Sequence, residues 1–228
     1  MNYENFVSSK RLSTKYFGFE VEIDNVSPVL FDFQKQIVQW ALKLGRAAIF
    51  ADTGLGKTGM QLTWASHIAN KTGGNVLILA PLCVAHQTVN EGKKFDVEVN
   101  YCRSQDQVKS GVNITNYEML KNFDVSTFSG IVLDESSILK SYMGKTKREI
   151  IEACQAVEYR LACTATPSPN DYLELGNHAE FLGIMPSNEM IMRFFQNDTM
   201  EAGTYVLKAH AATKFWEWCA TWSMCVSN

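Results

Sequence analysis

Apolar side chains recur at helical intervals through LFDFQKQIVQWALKL, residues 30–44. Short apolar runs set between longer amphipathic stretches follow. The runs are AAIFA (47–51), VLILA (76–80), VNIT (112–115), GIVLD (130–134) and YRLAC (159–163). Runs of this length, bounded by turn residues, suit strands covered on both faces. The stretches between them are long enough for helices. The alternation therefore predicts an α/β fold, a mostly parallel sheet flanked by helices. Beyond residue 183 the pattern changes: EMIMRFF and then TKFWEWCATWSMCV read as helices. Phe215, Trp216, Trp218 and Trp222 in the second read as core or as a partner surface, ahead of an aromatic stacking platform. The chain divides into an N-terminal extension (1–29), an α/β domain (30–183) and a helical C-terminal segment (184–228).

Composition narrows the class. The 228 residues, 46% hydrophobic and 20% charged, suffice for a full core. A net charge of −3 gives no global basic signature, so nucleic-acid binding would rest on a local patch or on backbone N–H groups. The cysteines at 83, 102, 154, 163, 219 and 225 form no CxxC pair and no zinc-like spacing with histidine. They read as buried free thiols of a reducing cytoplasm. No run approaches the roughly 20 apolar residues of a membrane span, and MNYENFVSSK lacks the apolar centre of a signal peptide. A cytoplasmic protein without a membrane partner is expected. His67, His86, His178 and His210 are scattered and receive no chemistry. Lys93, Lys94, Lys145, Lys147 and Arg148 read as solvated faces before phosphate contacts.

The strand AAIFA runs into ADTGLGKT, Ala51 to Thr58, and then into a helical stretch. This is the GxxxxGK[ST] phosphate loop with alanine in place of the first glycine. Gly54 and Gly56 can take positive φ, which lets successive N–H groups turn toward a phosphate. The helix starting near Lys57 adds its positive end. In this reading Thr53, Gly54, Leu55 and Gly56 line the nucleotide, Lys57 reaches the β and γ phosphates of ATP, and Thr58 ligates Mg²⁺. A phosphate loop needs an acidic partner. FSGIVLDESSILKS supplies it, because a buried strand delivers Asp134 and Glu135 at its carboxyl end. Asp134 would hold Mg²⁺ through water, and Glu135 would orient or deprotonate the attacking water. Lys57, Asp134 and Glu135 are thus the candidate catalytic residues.

With four further stretches these motifs resemble the first motor domain of superfamily 2 helicases and translocases. The resemblance is greatest to the Swi/Snf-like group, especially the DEAD-like helicases of phages and prophages. It spans roughly residues 28 to 226 and implies a RecA-like P-loop NTPase. LFDFQKQIVQWAL resembles the segment whose glutamine reads adenine, here Gln34. VLILAPLCVAHQTVNEGKKF resembles a motif that meets the nucleic-acid backbone near Pro81, and ITNYEML another, through Thr115, Asn116 and Tyr117. YRLACTATPSPNDYLELGNHAEFLG resembles the coupling motif, with Thr164, Ala165, Thr166 and Pro167 in its core and Asn170 following. Lys140 stands where the Swi/Snf-like pattern has a lysine. Ser137 replaces a common histidine of the acidic motif and Ala165 a frequent glycine. Serine can still donate a hydrogen bond between the motifs, but it does not titrate near neutral pH.

Motors of this kind use two RecA-like domains, with ATP in the cleft and arginine fingers from the second. The six arginines (11, 46, 103, 148, 160, 193) include none in a QxxGRxxR-like setting. The resemblance thus implies the ATP-binding half of a DNA-dependent ATPase, hydrolysing weakly or not at all alone. Double-stranded DNA is the implied partner, with a second RecA-like domain in trans or another protein, in a host cytoplasm if phage-encoded. The alternative is a non-catalytic module, derived from a helicase domain, that binds nucleic acid or a protein. A metabolic P-loop kinase is disfavoured by DESS followed by TATP and by the lack of an arginine-rich lid.

Overall fold

The computed structural model describes residues 14–140, 145–198 and 204–227. Its strands are β1 (Arg46–Ala51), β2 (Val76–Ala80), β3 (Val99–Tyr101), β4 (Val112–Asn116), β5 (Gly130–Asp134), β6 (Tyr159–Thr164), β7 (Phe195–Asn197), β8 (Tyr205–Leu207) and β9 (Ser223–Val226). Its α-helices are α1 (Asp32–Leu44), α2 (Lys57–Thr72), α3 (Leu82–Gly92), α4 (Lys145–Cys154), α5 (Glu174–Phe181), α6 (Ser187–Phe194) and α7 (Ala212–Ala220). Seven strands form one sheet in the order β3-β4-β2-β5-β6-β1-β9. Every pairing within it is parallel. β7 and β8 form a separate antiparallel pair.

The apolar runs follow from burial on both faces. Successive residues of a strand point to opposite sides. Ala48 and Phe50 of β1, Leu77 and Leu79 of β2, and Ile131 and Leu133 of β5 enter one core. Their neighbours Ala47, Ile49, Val76, Ile78 and Val132 enter the other. Helices α1 and α2 cover the second face and α4 to α7 the first. α1 buries Ile37, Val38, Ala41 and Leu42 and stops at Gly45, whose left-handed φ of 71° lets its N–H reach the Ala41 carbonyl. The N-terminal aromatics reinforce that end. Phe17 N–H bonds the Leu44 carbonyl, and its ring lies 4.1 Å from the Arg46 guanidinium carbon.

The C-terminal stretch corrects one expectation. TKFWEWCATWSMCV is helical only to Ala220, and Ser223–Val226 leaves the helix to become β9, the edge strand beside β1. Phe215, Trp218 and Trp222 are core. Trp216 is exposed and packs edge-on against exposed Tyr172 at 5.1 Å between ring centroids. The cysteines are free as expected, yet Cys83 and Cys225 are exposed and only the other four are buried.

Candidate active site

A parallel sheet sends all its strand ends to one edge, and the candidate residues follow β1, β5 and β6 there. β6 lies between the other two, with Phe50 of β1 opposite Thr164 and Asp134 of β5 opposite Cys163. The phosphate loop and the acidic pair therefore flank the start of the coupling stretch.

Gly54 (φ 90°) and Gly56 (φ 76°) both adopt the left-handed region. A β-carbon on Gly54 would meet open space, whereas one on Gly56 would lie 2.3 Å from Gln34 Nε2. Gln34 is the brace behind this turn. Its Nε2 donates to the Leu55 carbonyl at 2.9 Å, and its Oε1 accepts from Phe31 N–H at 2.9 Å. Thr53 is exposed, while Leu55 is half-buried against the core. Lys57 Nζ donates to the carbonyls of Ala51 (2.7 Å) and Asp52 (3.2 Å), which holds the ammonium at the loop. Thr58 follows it, half-buried in the first turn of α2.

Asp134 Oδ1 accepts from Gln61 Nε2 at 2.8 Å. Burial raises the Asp134 pKa above the usual carboxylate range, the Gln61 hydrogen bond opposes that, Glu135 adds to it and the Lys57 charge opposes it. Glu135 is a non-glycine residue with φ of 59°. Its Oε1 accepts from Ser137 Oγ and from Thr164 Oγ1, each at 2.6 Å. Thr164 Oγ1 accepts in turn from the N–H of exposed Thr166 at 3.0 Å. Thr164 thereby joins the coupling stretch directly to the acidic pair, whereas Ser137 donates within the acidic motif and not between the two.

The expected nucleic-acid contacts divide. Pro81 is half-buried at the start of α3, beside exposed Leu82. Thr115 and Asn116 are buried at the end of β4. The last residues of β4 are covered by the core, and Asn116 Oδ1 accepts from Met119 N–H to cap the following turn. Tyr117 is half-buried, and its hydroxyl donates to the Asp134 carbonyl at 2.7 Å, supporting the acidic strand. Lys140 is exposed, and Asn170 Nδ2 donates to Glu174 Oε1 at 2.9 Å. Lys147 is not a solvated charge: it is buried and bonds Asn177 Oδ1 at 2.9 Å. The side chain of Lys145 lies outside the described residues.

Gln61 and His178 escaped the sequence reading. Gln61 lies four residues after Lys57, one helical turn on, and a polar residue on the sheet-facing side of α2 was its only signal. His178 stood among scattered histidines without a partner pattern, and its hydrogen bond to Ser136 crosses 42 positions.

A left-handed glycine loop with a lysine suits an anion, and the half-buried carboxylate of Asp134 beyond it suits a cation. Among the described residues no cluster of three or more His, Cys, Asp or Glu could hold a metal by itself. A cation here would share oxygens with the anion, as magnesium does with phosphates. Among the described residues no helix is long and apolar enough to cross a membrane.

The SNF2-related domain matches residues 33–208. The fold is similar to the SWI2/SNF2 ATPase core of Sulfolobus solfataricus in complex with dsDNA, with a TM-score of 0.70 and 19% identity. That match covers 95% of this chain and 47% of the other. The UvsW helicase of bacteriophage T4 matches with a TM-score of 0.56 and 15% identity, over 82% of this chain and 66% of the other. Protein p41 of Acyrthosiphon pisum secondary endosymbiont phage 1 is 28% identical over 175 residues, 66% of this chain and 38% of that protein. The chain thus spans less than half the length of that phage relative and of the SWI2/SNF2 core.

Proposed function

The chain belongs to the SNF2-related domain family, and on that premise we propose that it is the ATP-binding half of a DNA-dependent ATPase of helicase or translocase type. The observation that carries this reading is the meeting of three strand ends. The left-handed loop Gly54–Gly56 with Lys57, the acidic pair Asp134–Glu135 and the hydroxyl of Thr164 converge on one sheet edge.

ATP with Mg²⁺ would supply a transferable phosphoryl group and the cation that neutralises its developing charge. Lys57 and the loop would hold the phosphates. Thr58 and Asp134 would hold the cation, Asp134 being kept in place by Gln61 and by the Tyr117 hydroxyl on its carbonyl. Glu135 spends Oε1 on Ser137 and Thr164, which leaves Oε2 to take a proton from water. Gln34 braces the loop through Leu55, and the rest of its amide remains for an adenine edge.

Completion of the site by another domain is part of the proposal. Arg46 and Arg160 sit at the starts of β1 and β6, the opposite sheet edge, and are engaged with the carbonyls of Glu158, Val157 and Phe181. An arginine finger is worth about 10³ to 10⁵ in rate in P-loop enzymes, so turnover by this chain is slow. Exposed Leu82, Lys93 and Lys94 around α3, with Pro81, are the surface offered to DNA.

ATP turnover with Mg²⁺, with and without double-stranded DNA, tests this beside Lys57→Ala. Slow turnover raised by DNA and lost in Lys57→Ala is expected. Turnover indifferent to both, or no turnover together with ATP binding indifferent to Lys57, overturns it. The second result leaves a non-catalytic binding module.

A further inference from the structure

The turn after the acidic pair is held at both ends by consecutive residues of α5. Ser136 Oγ lies 3.1 Å from His178 Nε2, and Asn177 Nδ2 donates to the Leu139 carbonyl at 2.7 Å. Ser136, Asn177 and His178 are all fully buried. The second ring nitrogen of His178, Nδ1, lies 3.3 Å from the Glu174 carbonyl one helical turn earlier. With Nδ1 donating there, a neutral ring offers Nε2 as acceptor and Ser136 Oγ as its donor. Burial pushes the imidazole down to about 4, so the ring is neutral at pH 7.

The ring is fixed on its other sides as well. It meets Phe50 of β1 edge-on at 5.3 Å between centroids. Its neighbour Asn177 is fixed by Lys147 Nζ. Glu174 accepts from Asn170, which follows the core of the coupling stretch. One short helix thus ties the phosphate-loop strand, the coupling stretch and the acidic turn together.

Glu135 is the residue that needs this support. A left-handed conformation disfavours any side chain with a β-carbon and persists only where the surroundings impose it. Ser136 is the next residue along the backbone, and its side chain is anchored outside the turn.

We infer that His178, seconded by Asn177, is the positioning residue of the acidic pair: by holding Ser136 it fixes the backbone at Glu135 and so aims both carboxylates at the phosphate loop. The inference rests on the Mg²⁺-ATP reading for its consequence, though not for its geometry.

Two measurements on the whole chain test it: amide hydrogen exchange of residues 135–139 without nucleotide, and ATP affinity in Mg²⁺ against ATP affinity in EDTA. In His178→Leu and in Ser136→Ala, these amides exchange at least about tenfold faster. The gain in ATP affinity from Mg²⁺ falls about tenfold, the low end of what losing an outer-shell partner costs a metal site. Affinity in EDTA is unchanged. His178→Gln, whose amide reaches the Nε2 position, restores both readouts. Unchanged exchange in both disruptive variants overturns the inference. So does an equal loss of affinity with and without Mg²⁺, or a glutamine no better than leucine. If His178→Leu does not fold, Ser136→Ala and His178→Gln carry the test. If the wild-type chain binds no ATP, the functional reading fails, and the exchange rates alone decide the positioning role.

Discussion

The hydroxyl of Thr164 donates a 2.6 Å hydrogen bond to Oε1 of Glu135, across 29 positions of sequence and one strand boundary. Glu135 follows the last residue of β5, and Thr164 is the last residue of β6, in the core of the coupling stretch. Any movement of Thr164 is therefore felt by the Glu135 carboxylate. Thr164 is fully buried and Glu135 half-buried, so the threonine end of the bond is out of water.

Thr164→Val keeps the shape and removes the donor. Its expected effect is on turnover rather than binding: the DNA-stimulated ATPase rate falls about 10²-fold, the scale of a misplaced catalytic group. ATP affinity stays within about threefold, because the contact is not to the phosphate loop. Steady-state turnover beside titration of ATP binding checks this. A matching loss of affinity would remove the distinction.

The two loop glycines differ in what surrounds them. Gly54→Ala meets open space and loses only the left-handed preference, about 1 kcal/mol. Gly56→Ala adds a β-carbon 2.3 Å from Gln34 Nε2, so the brace to Leu55 has to give way. Chemical denaturation is expected to find Gly56→Ala less stable than Gly54→Ala by about 1–2 kcal/mol, the cost of a lost buried hydrogen bond. Equal stability would mean that Gln34 is not a brace.

Gln61 lowers a pKa that burial raises. Gln61→Leu takes that donor away, so the Asp134 pKa rises further and protons compete with Mg²⁺ at higher pH. The pH at which Mg²⁺-dependent ATP affinity is half lost therefore moves upward in Gln61→Leu. ATP affinity measured across pH 4 to about 8 checks it. A midpoint that stays in place or moves down contradicts the assignment.

His178 gives the fold its own pH dependence. Its pKa drops from 6.5 to about 4, first by burial, with the Glu174 carbonyl and the Glu135 charge opposing. The unfolded chain therefore binds the proton first. Stability from this group is complete above about pH 6.5 and is lost as pH falls toward 4, on the order of 3 kcal/mol in all. His178→Gln removes that dependence. Urea denaturation of both chains at several pH values shows whether the wild-type chain loses stability relative to His178→Gln on acidification, as expected, or keeps a constant difference from it.

Much of this was legible in the residues. β1, β2, β5 and β6 appear as apolar runs because each strand feeds two cores at once. Gly54, Gly56 and Lys57 stood out because a left-handed turn before a helix restricts the residue types. β3 did not, since Val99–Tyr101 is three residues long, with polar Asn100 at its centre. β9 was hidden because Phe215, Trp218 and Trp222 keep a helical spacing across the point where the helix ends. The burial of Thr115 and Asn116 was not legible either, because spacing carries no burial information. The links from Gln61 to Asp134 and from His178 to Ser136 were invisible for another reason: each joins residues brought together only by the sheet order.

Isothermal titration of the chain with ATP and Mg²⁺, beside Lys57→Ala, tests the central claim most directly. The account predicts saturable binding at one site that Lys57→Ala weakens at least about tenfold, as loss of a charge-assisted phosphate contact should. Binding of equal strength in both chains would contradict it.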